Sequence, residues 1–327
     1  MLKDKEVRIF SKLLEANQIK EAAALLKNGD VVAIPTETVY GLAADATNDQ
    51  ALRKIFAAKN RPLDHPLIVH IESFSKVDDW ADFVPKSAKK LAEHFWPGPL
   101  TMIFQKRKTV SDLITAGLNT VALRVPNHPV ALEVIRELGR GVAAPSANAH
   151  KKTSPTKPEH VLKTLEGKIA AILDGGACRV GIESTIVDIT KEVPVILRPG
   201  AITASMIEKA LNMKVYQPFN YDRKVSGNMA SHYQPEKPLL ILSKKEVALS
   251  IKKEKNIAVI HHSIIAGSQG VEMYQMPNTK TKYAQKLYET LHHIDGTNVE
   301  KILVETPPNS DDWADIRDRL KKASSKS

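Results

Sequence analysis

The sequence predicts an α/β protein: a mixed sheet with flanking helices, followed by a second, smaller α/β unit. Three observations carry this. Short apolar runs alternate with segments whose apolar residues recur at helical spacing. Several of those runs follow one another directly, which argues for a mixed sheet and against a strictly parallel one. The pattern then dissolves between Asn212 and Lys237 before strands and helices resume. At 327 residues the chain is long for one domain and comfortable for two. The expected division is a first domain over 1–211, a linker over 212–237 and a second domain over 238–327.

Taken in order, the charged N-terminal segment carries helical spacing, with Ala22, Leu25 and Leu26 on one side and Asn28-Gly29 closing the helix. Val31–Ile34 is an apolar strand running into Pro35, and just past it stand Thr36, Thr38, Tyr40 and Gly41. Asn48 or Asp49 caps a helix bearing Leu52, Ile55 and Phe56 on one face. Pro62 stops it after Lys59 and Arg61, which either complement the negative end of the helix dipole or serve a ligand. Leu67–Ile71 is a strand carrying His70. A helix from Pro85 to Phe95 is broken by Pro97-Gly98-Pro99 ahead of another strand.

In Thr120–Pro126 alternation puts Thr120 and Arg124 on one face. A helix over Pro129–Leu138 leads to a strand that ends, like the first, in a proline (Pro145), followed by Ser146 and Asn148. Thr156 is expected to cap the next helix with Glu159 in a capping box, which leaves Ser154 as a turn residue. Further strands end near Asp174, Thr190 and Arg198, and Thr203 caps a helix over Ala204–Leu211. The 212–237 segment holds three tyrosines, a histidine and several cations, the composition of a connection that folds over a pocket or along a surface. Beyond it, strands and helices from Leu239 to Lys322 read as a small Rossmann-like unit without a GxGxxG turn.

Lys and Arg number 47 against 37 Asp and Glu, so the surface favours polyanions such as nucleotides or RNA. The single cysteine, Cys178, excludes an internal disulfide and suggests a reducing, cytosolic setting; its loop makes it a poor nucleophile. No stretch has the length of a membrane span. P-loop, HExxH, CxxC and GxSxG motifs are absent, and the adjacent pairs His261-His262 and His292-His293 point apart. What remains is hydroxyls, amides and cations near strand ends, a set suited to aligning an anionic small molecule and offsetting its charge rather than to covalent catalysis.

PTETVYGL, Lys59-Asn60-Arg61, FWPGPLT, TVALRVPNHP, APSAN, SPT, GIESTIVD and ILRPGAIT occur in that order, and together they closely resemble the YrdC-like family of threonylcarbamoyl-AMP synthases. The SHYQP segment and the unit after it resemble the long, Sua-type form. The resemblance implies a twisted α/β sheet with a basic concave pocket. It implies an enzyme forming threonylcarbamoyl-adenylate from L-threonine, bicarbonate and ATP, with Mg2+ on the nucleotide, as the first step of threonylcarbamoyladenosine formation in tRNA.

Carried over by motif, threonine is held by Thr38, His70, Arg124, the Ala144 backbone and Ser184. ATP is held by Arg61, His65, Thr120, Ser146, Asn148, Ser154 and Arg198, with His232 and Tyr233 closing over it. Lys59, Arg61 and Arg198 offset the charge of the reacting anions. Implied partners are tRNA or double-stranded RNA and a threonylcarbamoyl-transferring enzyme. Two departures stand out: Met229-Ala230-Ser231 precede His232 where relatives carry Lys and Tyr, and His65 stands where Asn is common. A non-catalytic RNA-binding module and a carbamoyl transferase using carbamoyl phosphate are the competing readings. The first lacks an RNP motif and the second lacks its zinc-finger and acylphosphatase-like regions.

Overall fold

The computed structural model describes residues 10–218, 225 and 231–324. A ten-stranded sheet spans the first part of the chain. It comprises β1 (Lys12–Leu14), β2 (Val32–Ile34), β3 (Gly41–Asp45), β4 (Ile68–His70), β5 (Leu100–Gln105), β6 (Thr120–Arg124), β7 (Val142–Ala143), β8 (Ala171–Leu173), β9 (Thr185–Asp188) and β10 (Val195–Arg198). Their order across the sheet is β1-β8-β2-β3-β7-β4-β6-β5-β9-β10, mixing parallel pairs such as β4 with β6 and antiparallel pairs such as β5 with β6.

Helices cover both faces. α1 (Ile19–Lys27) packs against α5 (Pro129–Leu138), where Ala22, Leu26, Val134 and Leu138 share one apolar cluster. On the other face, α2 (Asp49–Lys59), α3 (Lys86–Phe95), the short α4 (Asp112–Thr115), α6 (Pro158–Leu165) and α7 (Ala204–Leu211) bury Leu52, Ile55, Leu91, Ile114, Val161 and Ile207. Asn48 caps α2 by accepting from the amides of Gln50 and Ala51, and Asn60 ends it in the left-handed region. Thr203 caps α7.

Two local expectations are overturned. The N-terminal segment is not helical throughout: residues 12–14 form an edge strand paired with β8. Thr156 is not a cap either. With Pro158 at its first turn, α6 begins after Lys157, and the amide and hydroxyl of Thr156 turn to the His160 ring, which removes the capping box.

The second sheet is parallel, ordered β11-β14-β12-β13, from β11 (Leu239–Leu242), β12 (Ile257–His261), β13 (Val271–Gln275) and β14 (Lys301–Glu305). Three helices accompany it: α8 (Lys244–Lys253), α9 (Lys280–Asp295) and α10 (Ala314–Ser324). The core between this sheet, α9 and α10 also takes in Val39, Ile182 and Tyr233, so apolar packing runs from one unit into the other. Full burial of a side chain such as Ile182 is worth about 1.5–3 kcal/mol. At the seam Gly181 has φ +81°, and a Cβ there would lie 2.5 Å from Gln285 Cα, so only glycine permits this contact. The ends of the 212–237 segment are tied down, Tyr216 to Val195 and Gln234 to Lys152. Met229 and Ala230 lie outside the described residues. Among the described residues no helix is long and apolar enough to cross a membrane.

Candidate active site

Where β2 meets Pro35 the chain turns, and the turn is built by Thr36. Its hydroxyl donates to the Val39 carbonyl at 2.6 Å and accepts from the amides of Thr38 and Val39. Thr38 Oγ1 lies 2.9 Å from Thr36 Oγ1 and accepts from Arg124 Nη1 at 2.9 Å. Since the Thr36 hydrogen goes to Val39, the Thr38 hydrogen goes to Thr36. The Thr38 oxygen is therefore left with acceptor capacity, suited to an amine. Arg124, at the end of β6, also donates from Nε to the Gly98 carbonyl at 3.2 Å and pairs with Glu37 at 2.7 Å, all of them buried.

Beside Arg124 in the sheet stands His70. Burial, and then the Arg124 charge, push its pKa down to about 3, and its buried Nδ1 has no partner among the described residues. It is a neutral ring near pH 7, free to hydrogen-bond a ligand. Ser184 lies across from it, 2.7 Å from Thr101 Oγ1. The Ala144 amide is taken by the Ile68 carbonyl, and Gly41, whose added Cβ would sit 3.1 Å from that of Ala144, keeps the two strand ends close.

These groups line a cleft together with Arg61, Ser146, Arg198, His232 and Tyr233. Burial lowers the Arg61 pKa to about 10. Its Nη2 donates to the Pro66 carbonyl at 3.1 Å, while its buried Nε lacks a partner among the described residues. Arg198 is fully enclosed, which lowers its pKa, and it holds Ser184 at both backbone and side chain. His232 is held neutral by burial and by the charges of Arg61 and Lys59, and its Nδ1 has no partner among the described residues.

Of the residues expected from sequence, Thr38, His70, Arg124, Ala144, Ser184, Arg61, Ser146, Arg198 and His232 converge on this cleft. Five others stand apart from its lining. Lys59 lies beneath it, its ammonium donating to the carbonyls of Ser146 and Asn148, and burial strongly lowers its pKa. Asn148 is buried, bonded to the carbonyls of Ala149 and Lys152. Ser154 donates to Glu183 Oε1 at 2.5 Å, away from Arg61. His65 is half-buried and contacts Asp64 at 2.7 Å. Thr120 shares the face of Arg124 but begins β6; four residues of strand, about 13 Å, separate them.

Sequence reasoning missed Glu37 and Glu183. Each carboxylate is buried against an arginine, Glu183 against Arg319 of α10 at 2.8 Å. Cys178 is buried with its pKa pushed up to about 12, an inert thiol.

Residues 24–200 match a family model described as telomere recombination, and residues 202–325 match one described as threonylcarbamoyl-AMP synthase, C-terminal domain. The chain is 39% identical over 323 residues to the threonylcarbamoyl-AMP synthase of Pyrococcus abyssi, covering 95% of each chain. It is 41% identical over 325 residues to that of Bacillus subtilis, covering 94% of this chain and 92% of the relative. A crystal structure of P. abyssi Sua5 complexed with L-threonine superposes with a TM-score of 0.89 at 36% identity, over 96% of this chain and 97% of the other. With both units matched and the relatives covered nearly end to end, the chain belongs to the threonylcarbamoyl-AMP synthase family.

Proposed function

We propose that the chain condenses L-threonine, bicarbonate and ATP into L-threonylcarbamoyl-adenylate and pyrophosphate, the first step of threonylcarbamoyladenosine formation in tRNA. The observation that carries this reading is the meeting of two kinds of group in one cleft. Thr38, His70 and Ser184 offer neutral hydrogen-bonding groups beside the Arg124–Glu37 pair, while Arg61 and Arg198 bring buried positive charge to the same lining. An amino acid fits the first set and a polyphosphate the second. The solved relative carrying L-threonine supports the same assignment.

In this mechanism the neutral threonine amine takes up the carbon of bicarbonate as a carbamate, a C–N bond forming as a C–O bond breaks and water leaves. A carbamate oxygen attacks the α-phosphorus of ATP, a new P–O bond forms, and the bond to the β-phosphate oxygen breaks to release pyrophosphate. Two anions must meet, so the protein's work is alignment and charge stabilisation. Thr38 accepts from the threonine amine, and neutral His70 orients the carboxylate or hydroxyl. Arg61 and Arg198 offset the phosphate charge. Lys59 and Asn148 act from below, fixing the Ser146 loop.

Mg2+ enters in this reading as part of the nucleotide substrate. Among the described residues no group of three His, Cys, Asp or Glu is placed to hold a metal, and Glu37 and Glu183 are each paired with an arginine. The ion would ride on the phosphates. The labile adenylate is then consumed by an enzyme that transfers the threonylcarbamoyl group to tRNA. Pyrophosphate release from ATP, measured with and without threonine, tests the proposal. A strict threonine requirement is expected, and release at the no-threonine level would overturn it.

A further inference from the structure

Among the side chains by which the C-terminal unit reaches the lining of the cleft, Arg319 makes the most contacts there. Arg319, on α10, is completely buried and its Nε pairs with Glu183 Oε2 at 2.8 Å, while Nη2 donates to the Glu183 carbonyl at 3.4 Å. Its guanidinium carbon also lies 5.2 Å from the centre of the Tyr233 ring, within cation–π range. Its Nη1 pairs with the neighbouring Asp318 at 2.6 Å, while Glu183 and Tyr233 line the substrate cleft.

Tyr233 is unusual in two respects. Its φ is +62°, a left-handed backbone conformation that a bulky side chain adopts only when its surroundings hold it there. Its buried hydroxyl has no partner among the described residues. The same helix fixes the preceding residue, since the His232 amide donates to the Lys322 carbonyl at 3.2 Å. Glu183 is held from three sides, by Arg319, by Ser154 at 2.5 Å and by Tyr288 of α9 at 3.1 Å. It immediately precedes Ser184, the residue that Arg198 grips.

A buried ion pair is a poor way to glue two domains, because desolvation offsets much of the attraction; apolar packing across the seam already does that. What the pair adds is geometry. We infer that Arg319 is a positioning residue for the nucleotide side of the cleft, so that docking of the C-terminal unit holds Tyr233 and Glu183 where ATP needs them. Three of the four side chains assigned to threonine stand clear of it: Thr38, His70 and Arg124 are organised by Thr36, Glu37 and the sheet.

The inference rests on the activity proposed above, and the experiment separates the two. Arg319→Lys keeps the buried charge but loses the fork and the flat cation over the ring. In the full-length protein, KM for ATP and for threonine is read from pyrophosphate release, ATP binding by calorimetry without turnover, and Tm by thermal melting. ATP affinity is expected to weaken about tenfold in both assays, with KM for threonine within about twofold. Unchanged ATP affinity, or equal losses for both substrates that track a fall in Tm, would overturn it. Where the lysine variant does not fold, Arg319→Gln replaces it under the same criterion. A wild-type protein that binds ATP without threonine-dependent turnover would defeat the proposed activity and leave the role of Arg319 to be read from ATP binding. A wild-type protein that binds no ATP would defeat both.

Discussion

Arg198 grips Ser184 twice, donating from Nε to its carbonyl at 2.9 Å and from Nη2 to its hydroxyl at 3.0 Å. In the proposed function the first serves the phosphates and the second serves threonine. The bonds between them tie the two substrate halves together at this point before either ligand arrives. Preorganisation of this kind lowers the entropic part of a barrier between two anions.

Arg198→Ala therefore acts on both sides. We expect kcat/KM to fall about a hundredfold, with KM raised for ATP and for threonine together. Steady-state kinetics with each substrate varied in turn would expose a purely phosphate-binding role, in which KM for threonine stays at the wild-type value.

Thr38→Val keeps the shape of its site and removes the oxygen that accepts from Arg124 and, in our reading, from the substrate amine. KM for threonine should rise about tenfold while KM for ATP stays within about twofold. Equal effects on both substrates would assign Thr38 to the turn alone.

Lys59 donates to both the Ser146 and the Asn148 carbonyls. Lys59→Met leaves them without that donor, at a cost of about 1–3 kcal/mol in urea-unfolding free energy, and slackens the Ser146 loop. A variant with wild-type stability and no activity would instead place the ammonium on the phosphates during turnover.

The histidines set an acid limit. His70 and His160 have pKa values lowered from 6.5 to about 3, and His150 and His292 to about 4, chiefly by burial. Because the folded values lie below the unfolded ones, the unfolded chain binds more protons as pH falls below 6.5. The stabilisation is complete above pH 6.5 and lost progressively toward pH 4. Urea midpoints should fall steadily across that range; a flat profile would contradict the burial of neutral rings. Since His70 stays neutral throughout, it should give kcat/KM for threonine no inflection near pH 6.5.

Gly181→Ala tests the seam. A Cβ there meets the Gln285 backbone at 2.5 Å in a left-handed conformation, so we expect about 1–3 kcal/mol of destabilisation. If docking of the C-terminal unit serves the nucleotide side of the cleft, ATP affinity should weaken as well. A stability loss with wild-type affinity would confine Gly181 to packing.

Much of the site is legible in sequence because hydroxyls and cations follow strands that end at Pro35 and Pro145, and because alternation in β6 aims Arg124 correctly. The same rule says nothing of distance along a strand, which is why Thr120 stands apart from the lining. β3 escapes notice because GLAAD is small, buried throughout and without alternation. Glu37 and Glu183 look like surface carboxylates until the fold brings in arginines, in the second case from 136 residues away. A residue that acts across a domain seam leaves no local signature.

The central claim is that one cleft joins carbamate to adenylate. Incubating the protein with ATP, threonine and bicarbonate labelled with heavy carbon, then analysing the products by mass spectrometry, tests it most directly. The account predicts threonylcarbamoyl-adenylate carrying the heavy carbon, formed only with threonine and abolished by Arg198→Ala. Pyrophosphate released without any labelled adenylate would contradict it.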